Sequence, residues 1–168
     1  MSGILNVILS RSGSAARTLG SAVSVSGTKI GNLTVGGGLA AAFDGTTSQA
    51  GASTAAANSL SVSTGYVGVT LGSLTRLFQC VVHGGNDSGY ENSGNPSITL
   101  EVYGKTTSPA SATDGTLIGS ATFTDTADER AARTITMSDN ETQWNYVWVR
   151  VVGGTNPRVA ELIPYQSV

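Results

Sequence analysis

The stretch Trp144-Asn145-Tyr146-Val147-Trp148-Val149-Arg150-Val151 alternates with a period of two. Val147, Val149 and Val151 fall on one face, and Trp144, Tyr146, Trp148 and Arg150 on the other. A helical repeat of 3.6 would scatter those valines around its axis, so the stretch reads as a strand with its valine face in the core. The other face is expected either to meet a second layer of the fold or to lie open. Six further short apolar or alternating runs, at 66–71, 74–82, 97–103, 117–123, 133–137 and 159–164, are separated by segments rich in Gly, Asn, Asp, Ser and Pro. Long helices are hard to find: 50–58 could make one helical turn, weakened by its Gly, Ser and Thr, residues 4–9 could form a strand or one helical turn, and 125–130 reads as a turn or short helical cap. The chain is predicted to be all-β.

At 168 residues the chain is long enough to bury a core as one domain without staples. About half of it is Gly, Ser, Thr or Ala, and charged residues make up 12%, roughly half the usual share. Such a surface suits tight turns between short strands, or faces covered by other subunits. Extracellular β-modules and virion proteins both fit. A net charge of −2, with the basic residues scattered, argues against nucleic acid as a partner. Cys80 is the single cysteine and sits in an apolar run, where a thiol behaves as a small hydrophobe. It permits no internal disulfide, and no Cys/His cluster has zinc spacing. The apolar stretch Ile4–Leu9 is too short to span a membrane and has no basic residue before it, so neither membrane insertion nor export by a signal peptide is expected.

Residues 1–35 have too little apolar area to fold alone. They read either as an arm that docks on a neighbouring subunit or as an extra edge strand on a sandwich formed by 36–168. Gly36-Gly37-Gly38 lacks the Lys-Ser/Thr of a phosphate loop and reads as a hinge. Long loops are expected at 84–96 and 106–116, where binding groups on β-sandwiches tend to sit.

Five segments, in order, carry a family resemblance: Ala42-Phe43-Asp44-Gly45; Tyr66-Val67-Gly68-Val69-Thr70-Leu71-Gly72; Ile98-Thr99-Leu100-Glu101-Val102-Tyr103-Gly104; Trp148-Val149-Arg150-Val151; and Ala160-Glu161-Leu162-Ile163-Pro164-Tyr165. Together they resemble the discoidin, or coagulation factor 5/8 type C, family across residues 36–166. The resemblance implies a galactose-binding-like jelly-roll β-sandwich, here with an N-terminal extension. Thr70 stands where the family usually has Asp, the Trp common after the Asp-Gly turn is absent, and so are the paired cysteines of many extracellular members.

The resemblance also implies a Ca²⁺ site at Asp44, Thr47 and Glu161, completed by main-chain carbonyls, as a hard cation requires. The competing reading has Asp44 capping its own turn and Glu161 as a strand-end surface residue. A carbohydrate site is expected in the loop after the second strand, at His83, Asn86, Asp87, Tyr90 and Asn92, with hydroxyl-pairing groups and the Tyr90 ring for stacking. The same residues also suit an ordinary long turn.

No enzyme is expected. There is one histidine and no nucleophile elbow, Walker loop or His-Glu-x-x-His string. The pairs Asp125/Asp128 and Asp139/Glu141 read as solvated loop charges. The sequence reading favours a non-catalytic bacteriophage virion protein of the head, spike base or tail, located in the virion. Its expected partners are other virion proteins and further copies of itself in a homo-oligomer, and it would touch host surface polysaccharide with its loops. The alternative is a stand-alone lectin-like carbohydrate-binding module.

Overall fold

The computed structural model describes residues 16–47, 57–58, 64–85, 90, 97–124, 132–153 and 156–168. Its strands are β1 (Leu19–Ala22), β2 (Lys29–Gly31), β3 (Val35–Gly36), β4 (Ala57–Asn58), β5 (Thr64–His83), β6 (Ser97–Lys105), β7 (Thr116–Thr124), β8 (Arg133–Thr136), β9 (Gln143–Val152), β10 (Arg158–Val159) and β11 (Glu161–Ser167), with one helical turn, α1 (Gly38–Ala41). The pairings form two antiparallel layers of a jelly-roll sandwich. The first runs β2-β5-β9-β6-β7 and the second β8-β5-β11-β1, and β3, β4 and β10 form a small separate sheet.

One strand belongs to both layers. The sequence places two strands at 66–71 and 74–82, and the chain joins them. The first half of β5 pairs with β2 and β9, the register breaks between Thr70 and Thr75, and the second half pairs with β8 and β11. Gly72 lies in that break at φ 75°, a conformation glycine adopts at little cost. Arg133 at the start of β8 lies 4.2 Å from the ring centroid of Phe123 near the end of β7, and the Ser138 N–H reaches the Ile118 carbonyl at 2.6 Å. These ties bring Thr64, His83, Ser97, Thr124, Arg133, Val152 and Glu161 to one end of the sandwich, called here the loop end.

The valine face of β9 goes where its alternation sends it. Val147, Val149 and Val151 are buried with Val67, Val69, Leu100 and Val102 of the first layer and Leu77, Val82, Ile135 and Leu162 of the second. Each such side chain contributes roughly 1.5–3 kcal/mol by leaving water. Cys80 lies among them, and burial pushes its thiol up to about 12, so it is an unreactive core group. The opposite face of β9 departs from expectation at two points. Trp144 joins the core, stacked over Gly104, because β9 changes register against β5 at its start. Trp148 stays on the outer face, yet it neither meets the second layer nor lies open. Loop 106–115 covers it: its Nε1 donates to the Ala112 carbonyl at 2.8 Å, and its ring stacks on Tyr103 at 5.6 Å and 8°. Asp114 pins the loop by accepting from the Lys105 ammonium (2.7 Å) and the Ala110 N–H (2.6 Å). The loop is therefore a structural cover over an indole.

Residues 16–36 lie against strands of their own chain. β1 pairs with β11, Thr18 and Val168 exchange main-chain hydrogen bonds at 2.9 and 3.1 Å, and Arg17 forks onto the Glu141 carboxylate at 2.9 and 2.7 Å. β2 adds an edge to the first layer, and the boundary placed at 35/36 falls inside β3. The reason is the free edges of β5 and β11, which the N-terminal segment covers with main-chain hydrogen bonds. Residues 1–15 lie outside the described residues. Gly36-Gly37-Gly38 is no simple hinge: Gly36 and Gly38 adopt φ of 68° and 66° where β3 turns into α1.

Candidate functional site

Two main-chain contacts build the loop-end site. The Ala160 N–H bonds to the His83 carbonyl at 2.8 Å, which sets Glu161 opposite His83 in the β11–β5 register. The Leu162 N–H bonds to the Ala42 carbonyl at 2.9 Å, which lays the segment after α1 across the start of β11. The Asp44–Gly45 turn thus arrives beside Glu161. Gly45 has φ 80°, and its N–H donates to Glu161 Oε2 at 3.1 Å; the Asp44 N–H donates to the same carboxylate. Asp44 Oδ1 accepts the Thr46 N–H at 2.8 Å, closing its own turn, and Thr47 follows as an exposed residue.

Glu161 is only 3% exposed, so it is not the surface residue that the competing reading made of it. Burial pushes its carboxyl up to about 7, and the nearby Asp44 charge pushes the same way. The two N–H donors and the Lys29 charge oppose that rise without cancelling it. Lys29 makes no ion pair with Glu161. Its ammonium donates to the carbonyls of Val25 and Gly27 and lies 4.7 Å from the Phe43 ring centroid, and burial lowers its pKa.

This arrangement fits a hard cation. A buried carboxylate lacks a direct positive partner, a second carboxylate stands at the adjoining turn, and the nearby groups offer oxygen rather than sulfur. Among the described residues no cluster of three or more His, Cys, Asp or Glu forms, so hydroxyl and carbonyl oxygens, Thr47 included, would have to complete the shell. An oxygen-only set of this kind matches the ligand preference of Ca²⁺ and not that of zinc.

The expected sugar residues divide. His83 is half-buried at the strand end, and burial lowers its pKa, so the ring is neutral near pH 7 and able to pair with a hydroxyl. Asn86, Asp87 and Asn92 lie outside the described residues. Tyr90 requires correction as a stacking platform. It is fully buried, its ring meets Phe123 edge-on at 5.1 Å, and its hydroxyl donates to the Val82 carbonyl at 2.8 Å. Arg158 bonds through its N–H to the Tyr90 carbonyl at 2.9 Å, so Tyr90 anchors the loop to the core instead of offering a face to a ligand. An aromatic residue in a Gly/Asn-rich loop carries no signal that separates a ligand platform from an anchor. Lys29 and Phe43 are not legible from the sequence for a similar reason: their meeting with each other, and the Lys29 charge felt by Glu161, depend on how the layers close.

The pair Asp139/Glu141 lies in an exposed loop, as solvated charges do, and each carboxylate is also engaged. Asp139 accepts the N–H groups of Glu141 and Thr142 and the Thr142 hydroxyl, which holds its pKa below the usual range, and Glu141 binds Arg17. Asp125 and Asp128 lie outside the described residues.

No family model matches the chain, and no curated protein is significantly similar to it in sequence. Solved structures do match. The CBM32 of AlyQ, solved in complex with 4,5-unsaturated mannuronic acid, superposes at TM-score 0.61 and 16% identity over 86% of this chain and 97% of that one. A fucolectin from the serum of striped bass, Morone saxatilis, gives 0.65 and 13% over 87% of this chain and 49% of that one. The family 32 module of NanJ from C. perfringens, solved with galactose, gives 0.56 and 15% over 82% and 92%. The fold is galactose-binding-like. At these identities the likeness concerns the fold alone, and it bears out the jelly-roll architecture implied by the discoidin resemblance.

Proposed function

We propose that this chain is a non-catalytic carbohydrate-binding module that presents its loop end to terminal sugars, with Ca²⁺ bracing that end through Asp44, Thr47 and Glu161. The observation that carries the proposal is the convergence, at one end of the sandwich, of a buried carboxylate without a direct cationic partner, an Asp-Gly turn and the half-buried imidazole of His83. A cation there would neutralise Glu161 and fix the Asp44–Gly45 turn against β11, leaving the adjoining loops rigid enough to pair with hydroxyls. His83, Asn86, Asp87 and Asn92 are the candidate hydroxyl partners. The named neighbours support a module of this class: one was solved with an unsaturated mannuronic acid, another with galactose. The virion-scaffold reading rests on resemblance and analogy and finds no support in them.

A glycan array, run with and without chelator, tests the proposal. Saturable binding to particular terminal sugars is expected, weakened by chelator and by Asp44→Ala, and lost in Asn86→Ala or Asp87→Ala. Silence across the array with calcium present overturns it. Tyr90→Ala is unsuitable as a site variant, because it empties a core position at a cost of about 3–5 kcal/mol.

A further inference from the structure

The outer face of the first layer carries a second constellation, away from the loop end. In the cross-strand register Tyr66, Arg150, Glu101 and Ser120 form one row across β5, β9, β6 and β7. Arg150 Nη1 and the Tyr103 hydroxyl both donate to Glu101 Oε2, at 2.6 and 3.0 Å. Arg150 also bonds to the Tyr103 hydroxyl, so the three side chains close one cluster, and Glu101 and Arg150 still keep 20% and 22% of their surface exposed to a ligand. The flanking row toward the loop end carries Thr99 and Thr122, whose hydroxyls bond each other at 2.8 Å. On the other side, the stack of Tyr103 on Trp148 makes a rigid floor.

The geometry points to this row as a second ligand site, one that takes a neutral polysaccharide lying across the strands. An acceptor and a donor held side by side with no net charge match two neighbouring hydroxyls of a sugar ring, and they attract neither anions nor cations. Four strands at a spacing of about 4.8 Å give the row a length of roughly 14 Å, suited to an oligosaccharide stretch instead of one terminal residue. A protein partner fits poorly. Its binding would centre on an exposed apolar anchor, whereas the centre of this row is an ion pair and Trp148 is fully covered. The inference rests on the carbohydrate-binding reading but names a different surface and a different form of ligand.

Isothermal titration and affinity electrophoresis of the full chain against soluble galactan, xylan and mixed-linkage β-glucan test it, using Glu101→Gln, which preserves volume, and Ser120→Arg, which plugs the exposed row without touching the core. At least one polymer is expected to bind, and both variants are expected to weaken it by about tenfold or more while their circular dichroism stays native. Loss of polymer binding in His83→Ala or with chelator, combined with no change in the two sheet variants, overturns the sheet-face site and leaves the loop-end module standing. Failure of all three polymers to bind also overturns it. The array result with terminal sugars then decides separately whether the chain is a carbohydrate-binding module.

Discussion

Glu161 is the residue whose chemistry departs furthest from what its position in the chain suggests. A glutamate at the start of a strand is ordinarily a solvated charge. Here the Ala42–Leu162 hydrogen bond folds a loop over it, and its pKa rises from the ordinary 4.5 to about 7. The sign of the consequence is fixed. Because the folded state holds the proton more tightly than the unfolded chain, this carboxyl favours folding fully below about pH 4.5, and that contribution is lost as pH rises through about 7. In chelator, the apparent Tm is therefore expected to fall across this range by roughly 3–6 °C. That corresponds to about 1–2 kcal/mol after discounting for water on the exposed Asp44 side. Glu161→Gln should flatten the slope, and millimolar calcium should restore stability at the upper end in the native chain but not in the variant. A thermal melt series read by fluorescence checks all three, and an unchanged slope in Glu161→Gln would remove Glu161 as its source.

At the scale of elements, the N-terminal strands matter more than their composition suggests. β1 is four residues long and mostly exposed, and β2 is three residues long, so neither has an apolar face that marks it as part of a core. Both are held by main-chain pairing to β11 and β5, which is blind to side-chain identity. Deleting residues 1–31 is expected to expose two strand edges, lower the Tm by more than 10 °C, the effect of a loss of several kcal/mol, and promote association through the freed edge of β11. Differential scanning fluorimetry and light scattering read the two effects. A truncated chain that melts like the full one and stays monomeric would mean that these strands are dispensable. β5 carries the opposite lesson. Its two halves are each legible as apolar runs, but their union around Gly72 into one strand serving both layers depends on pairing partners far away in the chain.

For the whole molecule, that shared strand predicts cooperativity. Neither layer can lose β5 without unpairing the other, so chemical denaturation is expected to be a single transition, with tryptophan fluorescence and far-ultraviolet circular dichroism coinciding. Trp144 in the core and Trp148 under loop 106–115 report on different parts of the first layer, and non-coincident curves would show that the layers, or the loop cover, come apart separately. The all-β class, the buried valines of β9, the inert core cysteine and the jelly-roll architecture were all legible from local pattern and family resemblance, because period-two alternation and turn residues act within a few positions. What the tertiary structure alone decided were the burial of Tyr90 and Glu161, the turning of Trp144 into the core, the covering of Trp148, and the row that sets Arg150 beside Glu101. Each of these depends on which distant segment lies over a given side chain. Burial, charge pairing and exposure are properties of that neighbour, which strand register and layer closure supply and local sequence does not.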